Sequence, residues 1–170
     1  MFGTIPKDIY DQMYEVISED SSLTYLRTKQ RGFYPRDENV LSPTLYPWVF
    51  MEFGGYTSVE VLRMPRNWKY EFTINVVAMV LADRGRPDEL VFASSEDTNR
   101  GGKGIGDVVA DICGALWPYH ETHFNVSGVV DWNFSRVGTP SVMSVQALLV
   151  NPYIRGVQID VTFLCQERDS

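Results

Sequence analysis

The sequence predicts an α+β fold: a mostly antiparallel β-sheet flanked by two main α-helices, with a long projecting strand or hairpin. Three observations carry that reading. Residues 68–82 alternate apolar and polar with a period of two. Residues 9–17 and 105–116 carry apolar residues at helical spacing instead. The glycine, proline and asparagine turns of the C-terminal third are too short for crossover connections, so they join antiparallel neighbours.

The long strand is the strongest of these signals. Trp68, Tyr70, Phe72, Ile74, Val76, Ala78 and Val80 share one face. Lys69, Glu71, Thr73 and Asn75 share the other, which turns apolar at Val77, Met79 and Leu81. At roughly 3.4 Å per residue this run reaches about 50 Å. A domain of this length has a diameter of roughly 40 Å. The strand must therefore bend, or project and pack on another surface, and that points to assembly.

The elements follow in order. The first helix carries Ile9, Met13, Val16 and Ile17 on one stripe, with Tyr10 and Tyr14 beside it. Thr4 and Pro6 mark its start, and Glu19-Asp20-Ser21-Ser22 ends it or caps a short continuation through Leu23 and Leu26. Residues 27–45 read as irregular. A strand is expected at Trp48–Phe53, a turn at Gly54-Gly55, and a further strand at Ser58–Met64. Pro65-Arg66-Asn67 leads into the long strand, and Asp83–Asp88 leads out of it. The second helix spans Ile105–Leu116, buries Ile105, Val108, Val109, Ile112 and Leu116, and is stopped by Pro118. Val126–Val137, Val142–Val150 and the alternating Val157–Phe163 segment read as strands.

At 170 residues the chain, 1–170, reads as a single domain with length enough for a substantial core. Hydrophobic residues make up 44% and charged residues 22%, the balance of an ordinary globular chain. Aromatics reach 13%, and they suit a β-rich core or surfaces shared with a partner. The net charge of −7 argues against a protein that grips phosphate backbones. It is compatible with one that DNA passes without sticking. Cys113 and Cys165 make neither a disulfide framework nor a metal motif, and both are expected as reduced, buried thiols, Cys113 on the inner face of the second helix. Met1–Lys7 lacks the pattern of a signal peptide, and no stretch is apolar enough to span a membrane.

The candidate chemistry is sparse. Gly101-Gly102-Lys103-Gly104-Ile105-Gly106 precedes a helix, as a phosphate loop does, but Gly104 stands where Ser or Thr should follow the lysine. Asp107 also puts negative charge where phosphate would sit. His120 and His123 are spaced i, i+3, not the i, i+4 of a zinc helix, and read as a loop pair. The acidic pairs lie in polar, turn-rich stretches with nothing apolar to raise a carboxyl pKa. Arg27, Lys29, Arg31 and Arg36, interleaved with Phe33 and Tyr34, form the one basic-aromatic cluster and read as a salt-bridging loop. No enzyme activity, cofactor or metal is expected.

The order of elements resembles the tail terminator (tail completion, neck) proteins of long-tailed bacteriophages. The parts that carry the resemblance are the helix Ile9–Ile17, the Pro47-Trp48-Val49-Phe50 strand, the strand Trp68–Ala82, the helix Gly104–Trp117 and the closing strand Val157–Phe163. It covers most of the chain and is one of length, order and texture. It implies a structural virion protein that forms a ring, typically hexameric. Such a ring caps the tail tube, joins it to the head-completion or connector protein, and lets DNA pass through its lumen without specific binding. The implied location is the virion, with host cytoplasm during assembly. Head-completion stoppers and tail tube proteins share this texture, and a nucleotide-binding domain using Gly101–Gly106 is the alternative from another class. On the ring reading, Trp68, Tyr70, Phe72, Arg84 and Arg86 are candidate oligomer-interface residues. Asp37, Glu38, Asp88, Glu89, Glu96 and Asp97 are candidates for the lumen.

Calorimetry with ATP, GTP and zinc is expected to give no heat of binding. A micromolar affinity that disappears in Lys103→Ala would overturn the architectural reading.

Overall fold

The computed structural model describes residues 4–32, 43–62, 67–81, 103–141, 145–146, 149–151 and 153–168. The chain has an α+β fold, and its described residues form two main helices, α1 (Thr4–Glu19) and α2 (Ile105–Leu116), and five strands. These are β1 (Thr28–Arg31), β2 (Trp48–Leu62), β3 (Asn67–Leu81), β4 (Val129–Gly138) and β5 (Ile154–Arg168), in the sheet order β1-β2-β3-β5-β4. All pairings are antiparallel except that of β1 with β2.

The central strand has the two faces its sequence predicts. Tyr70, Phe72, Ile74, Val76, Ala78 and Val80 are fully buried on the inner face, beneath the helices. α1 contributes Ile5, Ile9, Met13 and Ile17 to this core, one residue per helical turn. α2 contributes Ile105, Val108, Ile112, Ala115 and Leu116. Two tyrosines tie α1 to the sheet edge: Tyr10 donates to the Met51 carbonyl at 2.7 Å, and Tyr14 to the Lys29 carbonyl at 3.1 Å.

The outer face changes character along its length. At one end Val77, Met79 and Leu81 join Tyr46, Trp48, Phe50, Val145 and Ile154 in a second, smaller core. Farther along, Thr73, Thr162 and Ser135 link β3, β5 and β4 through hydroxyl contacts of 3.0 and 2.7 Å. Gln158, buried on β5, accepts from Ser141 and donates to Asp160, so its amide is satisfied.

Four expectations need correction. Residues 28–31, within the segment read as irregular, form β1, which pairs in parallel with Trp48–Met51. Its Thr-Lys-Gln-Arg sequence has no apolar alternation, so a periodicity signal is absent. Gly54-Gly55 is not a turn; it lies inside β2, which is one strand rather than two. Register shifts between Phe53 and Gly55, and between Tyr56 and Ser58, insert Gly54 and Thr57 as extra residues. Gly55 takes φ +94°, and a Cβ on Gly54 would meet the Asn75 Oδ1 at 2.7 Å, so the glycine pair serves a bulge. Of the expected strand Val142–Val150, residues 145–146 are helical instead, with the Leu149 N–H bonded to the Val145 carbonyl, and residues 142–144 and 147–148 lie outside the described residues. The strand expected from Val126 begins at Val129, beyond a left-handed turn at His123–Asn125. The Pro65-Arg66 turn and the Asp83–Asp88 exit lie outside the described residues.

The core predicts its own weak point. Phe72 and Phe163, paired across β3 and β5, stack at 5.1 Å with planes 12° apart, and both are fully buried. Phe163→Ala is expected to cost about 3–5 kcal/mol in urea unfolding. Lys69→Ala, on the exposed stretch of the outer face, should stay within about 0.5 kcal/mol. A cost below about 1 kcal/mol at Phe163 would contradict this packing.

Candidate interaction surface

The helices do not cover the whole inner face. Where β2 runs past β1, Phe53, Tyr56 and Val59 are 47%, 41% and 49% exposed. They share a face with the core because Phe53 pairs with Ile74, Tyr56 with Phe72 and Val59 with Tyr70. Strict alternation would put Tyr56 opposite Phe53 and Val59; the extra residues Gly54 and Thr57 bring all three to one side. The result is an apolar ledge continuous with the core. Phe53 meets Tyr56 edge-on at 5.4 Å and lies 6.1 Å from Phe72, while Tyr56 lies 5.8 Å from Tyr70.

This ledge revises the expected interface. Tyr70 and Phe72 are fully buried in the chain's own core and have no surface to offer a partner. Trp68 is half-buried at the edge of that core. Arg84 and Arg86 lie outside the described residues, as do Asp37, Glu38, Asp88, Glu89, Glu96 and Asp97. The exposed aromatic neighbours of Tyr70 and Phe72 escape a reading that assumes a turn at Gly54-Gly55. The signal available was the run Phe53, Tyr56 and Val59 at a spacing of three, which a strand shows only when bulged twice.

Another exposed aromatic, away from the ledge, lies at the end of α2. Trp117, 53% exposed, stacks on His120 at 4.4 Å and 22°. The His120 Nε2 lies 3.6 Å from the Asp131 Oδ1 on β4. His123 belongs to a different feature: His123, Phe124 and Asn125 all adopt left-handed φ values of 50°, 54° and 58°. Consecutive left-handed residues that are not glycine cost roughly 1–2 kcal/mol each. The anchor is Phe124, 2% exposed, stacked on Tyr119 at 5.3 Å with planes 5° apart. The two histidines thus serve separate local structures. Among the described residues, no group of three or more His, Cys, Asp or Glu is placed to hold a metal ion.

The glycine-rich segment is described from Lys103 onward. The Gly104 N–H donates to the Asp107 Oδ2 at 2.9 Å, so the start of α2 is capped by its own carboxylate. An incoming phosphate would meet that charge. Lys103 lies 3.2 Å from Asp111, which also accepts from the Tyr25 hydroxyl at 2.8 Å. Of the basic cluster, Arg31 pairs with Asp11 and lies over the Tyr14 ring at 4.4 Å, while Lys29 donates to the Ser18 carbonyl at 3.1 Å. Burial lowers the Lys29 pKa. Arg36, Phe33 and Tyr34 lie outside the described residues.

Cys113 is half-buried at the edge of the core rather than fully buried on the inner face of α2. Cys165 is fully buried inside β5, opposite Tyr70. Burial first, then the charge of Glu167, pushes the Cys165 thiol up to about 12. Burial also pushes the Tyr70 hydroxyl up, helped by Cys165 and Glu167. No helix among the described residues is long and apolar enough to cross a membrane. No protein-family model matches the chain, and no curated protein matches it.

The buried thiol sets a pH dependence. Its pKa rises from an ordinary 9.0 to about 12, so the folded state holds a proton that the unfolded state releases. Its contribution to stability is therefore full below pH 9.0 and is lost as pH rises toward about 12. Unfolding curves should show that alkaline loss, with a shallower slope in Cys165→Ala. Alkylation of the native chain should label Cys113 first and Cys165 only on unfolding; rapid labelling of Cys165 would contradict its burial.

Proposed function

We propose that this chain is a structural virion protein of a bacteriophage tail. Copies of it form a ring, hexameric by the resemblance, that caps the tail tube and joins it to the head connector. The ledge of Phe53, Tyr56 and Val59 is the observation that carries the proposal. Apolar area that continues a core out into solvent gains about 25 cal/mol per Å² when a neighbour covers it. A ring supplies such a neighbour to every copy at once. The three 15-residue strands β2, β3 and β5 lie side by side and give the ledge a stiff base.

The charge supports the same reading. The 22 acidic against 15 basic residues favour a neutral or acidic channel lining, which lets DNA slide, where a basic girdle would hold it by its phosphates. The role asks for shape and surface rather than reactive groups. The capped start of α2, with Asp107 where phosphate would sit, favours this reading over nucleotide binding.

Electron microscopy of the assembled particles is expected to show this chain in a ring, even if the isolated protein is a monomer. The double variant Phe53→Asp, Val59→Asp should abolish ring incorporation while leaving the far-ultraviolet circular dichroism unchanged. Particles carrying a single copy outside any ring, or normal rings from the double variant, would overturn the proposal.

A further inference from the structure

The inner face of the sheet carries exposed apolar side chains at both of its edges, and the two edges are level. Among the described residues β4 ends the sheet on one side, and β2 from Phe53 onward ends it on the other. Phe53 on β2, Ile74 on β3, Val161 on β5 and Phe134 on β4 form one row across it. Tyr56, Phe72, Phe163 and Trp132 form the next, and Val59, Tyr70, Cys165 and Val129 the one after. The ledge is one end of these rows. The other end is a patch on the β4 edge, where the Trp117 ring packs 6.1 Å from those of both Phe134 and Trp132. Phe134 is half-buried, and Val137, which pairs with Ile159 and so shares the inner face, is 51% exposed. Three strand spacings, roughly 14 Å, separate the two edges.

The polar groups beside ledge and patch are complementary. A groove of about 540 Å³ between α1 and β2 adjoins the ledge, with Tyr10, Phe53, Tyr56, Lys7, Arg31 and Glu52 in its lining. Lys7 and Arg31 share Asp11, and an ammonium with three N–H donors and a guanidinium with five keep donors for a second carboxylate. Beside Trp117 stand the exposed Glu121 and Asp131, the Asp131 Oδ1 lying 3.6 Å from Nε2 of the His120 ring that stacks on Trp117. Contact of ledge with ledge would face these donors with donors, and contact of patch with patch would face carboxylate with carboxylate. Ledge against patch brings donors to carboxylates. It also moves each copy sideways with little rise along the strands, because the rows at the two edges are level. That is the condition for closing a ring rather than winding a filament.

We propose that copies of this chain join head to tail, the Trp117, Phe134 and Val137 patch of one seated on the Phe53, Tyr56 and Val59 ledge of the next. The pairing rests on the ring reading and names the surface that covers the ledge. Trp117 enters the groove as the anchor, since contact energy concentrates where a large aromatic fills a pocket. The register shifts of both edge strands keep the contact between side chains.

The test is photo-crosslinking of the full chain with p-benzoylphenylalanine in place of Trp117. An equal mixture of isotope-labelled and unlabelled chains is irradiated at millimolar concentration. Mixed-isotope products identify crosslinks between copies, and peptide mapping should place them on residues 51–59 or 7–10 of the neighbour. Val59→Asp, at an exposed position, should lower the yield by about tenfold with the far-ultraviolet circular dichroism unchanged. If the chain with the probe at position 117 does not fold, the probe in place of Val137 carries the test, with crosslinks expected at residues 51–56. Crosslinks confined to another surface, patch-to-patch products, no product between copies, or an unchanged yield in Val59→Asp would overturn the pairing. The ring fails separately. Rings whose copies crosslink through other surfaces overturn the pairing alone, and the expected crosslinks in open filaments overturn the ring alone.

Discussion

Everything in this fold hangs on β3 being paired on both sides from Asn67 to Met79. On one side it meets β2 from Asn67 opposite Leu62 to Met79 opposite Trp48. On the other it meets β5 from Asn67 opposite Arg168 to Leu81 opposite Ile154, with no register shift. A strand held this way has no freedom to slip. A slip of one residue would turn Tyr70, Phe72, Ile74 and Val76 out from under the helices and bring Glu71, Thr73 and Asn75 in. The inner core, the outer core and the hydroxyl contacts farther along the outer face are all consequences of that one register.

The irregularities are confined to the strands that flank this rigid pair. β2 carries extra residues at Gly54 and Thr57, and β4 carries register shifts between Val129 and Asp131 and between Phe134 and Arg136. Bulges bend and twist a strand and spoil it as a template for further pairing. Here those of β2 also re-aim side chains. They let one face carry Phe53, Tyr56 and Val59, the first two lining a groove with Pro6, Lys7 and Tyr10 of α1, so that a surface is made from residues that regular pleating would have divided between two faces. A partner for this region is therefore expected to meet side chains rather than to extend the ladder.

The parts of the fold that were legible are those with a long, uninterrupted period. Residues 68–82 gave β3 to within one residue, and Ile105–Leu116 gave α2 with its ends in place. The segment Val157–Phe163 gave the centre of β5. What failed has a physical cause in each case. β1 holds its place by parallel pairing and by the Tyr14 bond to the Lys29 carbonyl, neither of which leaves an apolar pattern in Thr28–Arg31. Gly54-Gly55 has the composition of a turn, because turns and bulges ask for the same conformational freedom. The left-handed run at His123–Asn125 has no glycine to announce it and exists because Phe124 is held by Tyr119 and Trp132. Of the residues expected at an interface, Tyr70 and Phe72 are fully buried, while Val59 and Tyr56, their partners on β2, are exposed.

Charge plays a different part from packing in this molecule. The ion pairs among the described residues, such as Lys7 with Asp11, lie at or near the surface, where solvent screens them and they add little to stability. Stability therefore resides in the two apolar layers, and the acidic surface can be set by other demands at little cost to the fold. Glu167 breaks that pattern. It occupies an inner-face position on β5, in line with Phe163 and Cys165, where an apolar side chain would have extended the core. An alternation that runs apolar through Ile159, Val161, Phe163 and Cys165 and ends on a buried carboxylate is a local violation of the rule that built the rest of the sheet. It stands beside the Tyr70 hydroxyl, whose pKa it helps to raise, at the end of the strand where the helices give less cover.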